Sequence, residues 1–182
     1  MTIKKITMMS LFTALIAIGA FIKIPIPVLP FTLQFLFTML AGLLMGGKLG
    51  AISVAMYIML GLMGLPIFTQ GGGLGYVVMP TFGYLIGFLI GSYVTGKIAN
   101  MVPNPSYKRL LASNFIGLLI VYGLGMVYYY YISNFYLHTP IGIGALFLYC
   151  FILAVPGDIV LCIVAAIIAK RLIPVIKKEN SI

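Results

Sequence analysis

Long apolar runs, interrupted by short polar or glycine- and proline-rich segments, set the pattern of this chain. The runs predict membrane-spanning helices at roughly 6–22, 32–46, 49–65, 77–98, 109–131 and 142–170, most of them near the ~20 residues a helix needs to cross a bilayer. They lack the period-two alternation of barrel strands, so the predicted fold class is all-α: one domain over residues 1–182, an integral membrane bundle of six transmembrane helices. The interruptions are chemical. "KIPIPVLP" (23–30) has three prolines and cannot continue a helix. "GGKLG" (46–50) reads as a glycine turn, "LPIFTQGGGLGY" (65–76) as a glycine-rich uncharged loop, and "NMVPNPSYKR" (100–109) and "SNFYLHTP" (133–140) as the remaining connections.

Composition agrees with the pattern. The chain is 63% hydrophobic and 7% charged, with a mean hydropathy of +1.20, well above the roughly half-apolar makeup of a soluble domain. Its net charge of +9 changes the picture by giving an orientation. With the N-terminus cytoplasmic, Lys4, Lys5, Lys48, Lys97, Lys108, Arg109, Lys170, Arg171, Lys177 and Lys178 all fall inside, and Lys23 alone falls outside. That is the positive-inside distribution, and it predicts both termini in the cytoplasm. It also accounts for the basic balance without nucleic acid. The first twenty residues have the outline of a secretory signal, but the apolar run continues through Phe21 and the topology requires it as a span.

Catalytic chemistry is poorly provided for. One histidine and two acids cannot assemble a metal cluster, and a triad would have to join His138 in an outer loop to Asp158 deep in a span. Residues 42–48, "GLLMGGK", match a phosphate-loop pattern, but Leu49 follows where Ser or Thr is required and no strand precedes it. Cys150 and Cys162 lie in apolar sequence and read as small buried residues. No metal or cofactor of its own is expected.

Three features remain. Asp158, the chain's single aspartate, follows Pro156 and Gly157 inside the last span. An ionisable group at that depth costs about 2.5–3.5 kcal/mol to insert and normally faces a cavity or a partner. It reads either as a ligand contact or as a structural hydrogen-bond partner of a Tyr, Asn or Ser on another helix. Loop 68–76 reads either as a loose outer connection or as a flap folded over a cavity, with Phe68, Tyr76, Phe82 and Tyr84 as flat walls. Span one carries small residues at Ser10, Thr13, Ala14, Ala17 and Ala20, suited to close helix packing within the bundle or against another subunit. The "YYYY" run (128–131) reads as an interfacial aromatic belt.

Three blocks of the chain, in order, resemble the BioY family, the biotin-specific substrate-binding subunit of energy-coupling-factor transporters. They are "IPIPVLPFTLQFLFTMLAGLLMGGKLGAIS", "YIMLGLMGLPIFTQGGGLGYVVMPTFGYLIGF" and "PGDIVL". The resemblance covers nearly the whole chain. It implies a vitamin-uptake subunit in a prokaryotic cytoplasmic membrane that binds biotin from outside and is not an enzyme. The implied partners are a transmembrane coupling protein and two ATPases, which use the ATP. It implies that Asp158 contacts the ligand, plausibly its ureido group, and that loop 68–76 closes over it; Tyr84, Phe68, Gly72, Gly73, Tyr76, Lys23 and Gln34 complete the expected substrate-binding residues. Ser10, Ala14 and Ala17 would dock on the coupling protein. The family often has Lys three residues after the Asp, whereas this chain has Leu161. A ligand carboxylate would then need Lys23, hydroxyls or backbone N–H groups, and dethiobiotin, lipoate or another small acid stands as an alternative ligand.

Overall fold

The computed structural model describes residues 2–24 and 31–179, and helices dominate it. In chain order they are α1 (Ile3–Phe21), α2 (Gln34–Met45), α3 (Gly47–Leu62), α4 (Phe82–Ala99), α5 (Tyr107–Tyr131), α6 (Ile143–Phe147) and α7 (Val155–Glu179). A two-stranded antiparallel hairpin, β1 (Lys23–Ile24) and β2 (Phe31–Thr32), joins α1 to α2, with Lys23 opposite Thr32 and Ile24 opposite Phe31. Of the expected helix-breaking segment 23–30, residues 25–30 lie outside the described residues.

Four segments are long and apolar enough to cross a membrane: Ile3–Phe21, Phe82–Ala99, Tyr107–Tyr136 and Ile143–Ile176. The expected spans at 32–46 and 49–65 are shorter helices. At ~1.5 Å per residue, the twelve residues of α2 rise about 18 Å against a hydrocarbon core of about 30 Å. Two local features shorten α2. Phe31 and Thr32 are taken into the hairpin, and Gly46 turns the chain with φ 84°, a conformation that glycine adopts without a Cβ penalty. α3 ends at Leu62, before Gly64 at φ 108°. Nine of the twelve α2 residues are buried, which makes α2 a core element packed on α1, α3, α4 and α7.

The expected last span, 142–170, is interrupted. α6 passes into a π-helical turn at Leu148–Ile152, and α7 starts anew at Val155. Pro156 is therefore a first-turn residue of α7, where its missing N–H leaves no hydrogen bond unmade. The discontinuity lies just before the proline, and Asp158 is placed in the first turn of α7.

Glycines set the helix spacing. Gly83, Gly87 and Gly91 recur every four residues on α4 and face α5; a Cβ on Gly87 would lie 2.8 Å from Val121 Cα. Such small-residue ridges let backbones approach where lipid supplies no hydrophobic drive. Polar side chains tie helices together at depth. Thr13 Oγ1 donates to the carbonyl of Ser53 at 3.0 Å, Thr95 Oγ1 to that of Ser113 at 2.9 Å, and Asn114 Nδ2 to that of Cys162 at 2.9 Å.

Among the described residues, Lys4, Lys5, Arg109 and Lys170 gather at one end of the bundle. Lys170 Nζ donates to Asn104 Oδ1 and to the Pro105 carbonyl, both at 2.9 Å, and Arg109 Nε to the carbonyl of Ile98 at 2.9 Å. Lys4 and Lys5 border the same groove as Leu49, beside the α2–α3 turn, and Ile176 of α7. Lys23 sits at the opposite end of α1.

Candidate functional site

Four helices and two connections converge on a cleft of about 590 Å3, counted to its open mouth. Gln34 and Phe35 come from the start of α2. Tyr84, Leu85 and Phe88 come from α4 with Thr81 at its N-cap, Val121 and Tyr122 from α5, Asp158 from the first turn of α7 and Ala154 from just before it. The hairpin adds Phe31 and Thr32, and the glycine loop adds Thr69 and Tyr76. Its mix of aromatic walls with a few polar groups is the usual chemistry of small-molecule sites.

Asp158 is 7% exposed. Tyr122 Oη donates to its Oδ2 at 2.6 Å, while Oδ1 is buried without a partner. The structural reading of Asp158 is met by one oxygen, which braces α7 to α5, and the other oxygen has no partner in a residue that lines the cleft. Gln34 Nε2 and Tyr84 Oη are also buried without a partner in hydrogen-bond geometry, with Tyr57 and Cys150 as their polar neighbours, and both residues line the same cleft. A buried polar group left unpaired costs roughly 1–3 kcal/mol. Three such atoms around one cavity mark a place built for a polar guest. Asp158 Oδ1 offers an acceptor and Gln34 Nε2 a donor, and Tyr84 Oη can serve as either. The Asp158 carboxyl also lies at the N-terminal turn of α7, where the helix dipole favours negative charge.

Aromatic contacts hold this end rigid. Tyr122 meets Tyr84 edge-on at 5.9 Å between ring centroids and Phe151 at 5.6 Å. The ring of Phe31 lies against Gly157, where a Cβ would run into it. Glycine next to Asp158 thus admits the hairpin as one wall of the cleft.

The glycine loop is folded and anchored. Phe68 is 1% exposed, packed edge-on to Tyr57 at 5.3 Å and against Tyr76 at 4.4 Å, with its ring over Gly61. Its N–H donates to the Gly71 carbonyl at 2.9 Å, and the Gly73 N–H to that of Gly61 at 2.7 Å. Gly71 and Gly73 have φ of 117° and 99°. Gly72 lies against the Leu65 carbonyl, with no room for a side chain. Of the sequence-predicted contacts, the cleft brings together Asp158, Tyr84, Tyr76 and Gln34. Phe68, Gly72 and Gly73 shape the loop behind it. Lys23 lies at the rim, donating from Nζ to the Thr69 carbonyl at 3.3 Å. Tyr122, Thr69, Thr81 and Phe31 join the lining without having been predicted. A lone Tyr in the middle of an apolar helix was the available signal for Tyr122, since its hydroxyl must find a partner at depth.

On α1 the small residues divide between two faces. Thr13 and Ala20 are buried in the bundle, Ser10 and Ala14 are exposed and Ala17 is half-buried. Ser10, Ala14 and Ala17 thus form a shallow outward strip.

A model of the BioY family matches residues 1–178. A probable biotin transporter BioY of Lysinibacillus sphaericus is 44% identical over 177 residues, 97% of this chain and 90% of its own length. The biotin transporter BioY of Thermotoga maritima is 42% identical over 166 residues, 89% and 91% of the two chains. Among solved structures, the S-component for biotin from an ECF-type ABC transporter superposes with a TM-score of 0.79 at 30% identity, covering 94% of each chain.

Proposed function

The chain belongs to the BioY family, and from that premise we propose that it is the biotin-binding membrane subunit of an energy-coupling-factor uptake transporter. It binds and hands over its ligand and is not an enzyme. The observation that carries the reading is the convergence of Asp158 Oδ1, Tyr84 Oη and Gln34 Nε2, all buried and unpaired, on one cleft. A cyclic urea presents N–H donors beside a carbonyl acceptor. Asp158 Oδ1 takes a ureido N–H, Tyr84 and Gln34 serve the ring's remaining polar atoms, and Phe31, Phe35 and Phe88 enclose its apolar part. Tyr76 belongs to the contact set. Phe68, Gly72 and Gly73 act through the loop that holds Tyr76, and Lys23 acts from the rim.

α2 and α3, with their flanking connections, complete six crossings together with the four longer segments, α6 and α7 counting as one. Both termini lie in the cytoplasm, which the basic end of the bundle supports. The cleft then opens on the outer side of a prokaryotic cytoplasmic membrane. The outward strip Ser10, Ala14 and Ala17 docks on a transmembrane coupling protein, and two ATPase subunits supply the energy. The chain needs no cofactor of its own.

Purified in detergent, the chain should bind one biotin, measured by titration calorimetry with dethiobiotin and lipoate as competitors. Tighter binding of either competitor would move the assignment to that acid, and binding of none would overturn it.

A further inference from the structure

No Lys, Arg or His occurs among the described residues lining the cleft, although the ligand of the proposed function carries a carboxylate. An anion in a low-dielectric pocket requires donors. A chain of hydroxyls supplies them. Thr69 Oγ1 lies 3.0 Å from Tyr76 Oη, which lies 3.3 Å from Thr81 Oγ1, and all three residues line the cleft. Tyr76 is 4% and Thr81 9% exposed. Three hydroxyls own three hydrogens, and the two bonds between them use two. Whichever way the chain is polarised, one donor is left over, and each hydroxyl can rotate to present it. Thr81 caps the start of α4 without spending its hydroxyl on the helix backbone.

Position reinforces the chemistry. Thr81 lies one turn before Tyr84, which meets Tyr122, the partner of Asp158. The hydroxyl chain is thus separated from Asp158 by the Tyr84–Tyr122 pair. Lys23 Nζ donates to the backbone carbonyl of Thr69, which puts a positive charge behind the chain while the ammonium stays in solvent. The polar pole around Asp158 takes ligand donors, and this second pole has donors to give.

Resting on the proposed function, we infer that Thr69, Tyr76 and Thr81 form the carboxylate subsite, which selects ligands with an acid at one end and N–H donors at the other. The test is titration of detergent-purified protein with biotin and with biotin primary amide, which keeps the shape and removes the charge. Wild type should prefer the acid. Thr69→Val/Thr81→Val, nearly isosteric, should lower acid affinity about tenfold to a hundredfold and amide affinity less, so that the acid-to-amide ratio falls about tenfold. Tyr76→Phe alone breaks both links and should shift the ratio in the same direction, which keeps the test available if the double variant does not fold. An unchanged ratio in a folded variant, or a wild type that binds acid and amide equally, would overturn the subsite and leave biotin binding standing. A wild type that binds neither would overturn the proposed function and the subsite with it.

Discussion

Tyr122 and Asp158, 36 residues apart in sequence, share a 2.6 Å hydrogen bond between α5 and α7 that occupies one carboxyl oxygen and leaves the other bare at the cleft. In the proposed function the two oxygens divide structural and functional work, and substitutions separate them. Asp158→Asn can keep its amide oxygen on Tyr122 and turn its NH2 towards the ligand, where donor then meets donor. Biotin affinity should fall about tenfold to a hundredfold by titration. The melting temperature of the ligand-free protein should change little. A large loss of ligand-free stability with affinity intact would make Asp158 a structural brace alone.

Tyr122→Phe acts on the other oxygen. It keeps the ring contacts with Tyr84 and Phe151 but leaves Asp158 Oδ2 buried without its donor. The ligand-free protein should lose about 1–3 kcal/mol of stability, measured as a lower melting temperature in detergent. Added biotin should recover less of that loss than it adds to wild type, because the carboxyl that receives the ligand is no longer held. A melting temperature equal to that of wild type would show that Oδ2 finds another donor.

How far the sequence reaches can be judged on these same residues. Asp158 was legible because an acid in an apolar run has few explanations. Tyr76 and Tyr84 were legible because aromatic residues beside a glycine loop suggest a wall. Thr69 and Thr81 were not, since threonines are unremarkable in such helices and their value lies in a chain of contacts with Tyr76. The number of apolar segments was readable, but the length of α2 was not: "FTL" leads into the helix with no breaker, and only pairing with Lys23–Ile24 takes Phe31 and Thr32 out of it. Pro156 pointed to a break, yet its place within the break follows from a rule that favours proline in a first turn. The expected span 142–170 ran through Pro156; the helix instead ends before the proline and restarts at Val155.

Gly87 tests the packing that holds the cleft. A side chain there meets the α5 backbone at Val121, which cannot move as a side-chain tip would. Gly87→Leu should prevent recovery of a monodisperse protein from detergent, as overpacking a close helix contact is strongly destabilising. A variant that elutes normally and binds biotin like wild type would show that α4 and α5 can separate without loss.

The outward strip of α1 should behave in the opposite way. Ala14 is exposed and Ala17 half-buried, so Ala14→Leu/Ala17→Leu leaves the interior in place and affinity within about twofold. It should block close approach of another helix. The double variant should therefore fail to co-purify with the coupling protein and fail in uptake. Retained co-purification would move the docking face elsewhere.

Lys23 decides how much of the selectivity for an acid comes from charge at a distance. Its Nζ is held by the Thr69 carbonyl and faces solvent, so water and salt screen its attraction for a ligand carboxylate. Exposed charges contribute a few tenths of a kcal/mol to about one, far less than a direct charged hydrogen bond. Lys23→Met should therefore lower biotin affinity about two- to fivefold, leave the amide almost unaffected, and remove most of the salt dependence of biotin binding in wild type. The methionine side chain approximates the shape of the lysine stem, so lost packing is a small part of the change. A loss as large as that of the Thr69→Val/Thr81→Val variant would make Lys23 the direct partner of the carboxylate, its ammonium leaving the Thr69 carbonyl for the ligand. An equal loss for acid and amide would mean that Lys23 acts by holding the loop, because the amide carries no charge for it to attract.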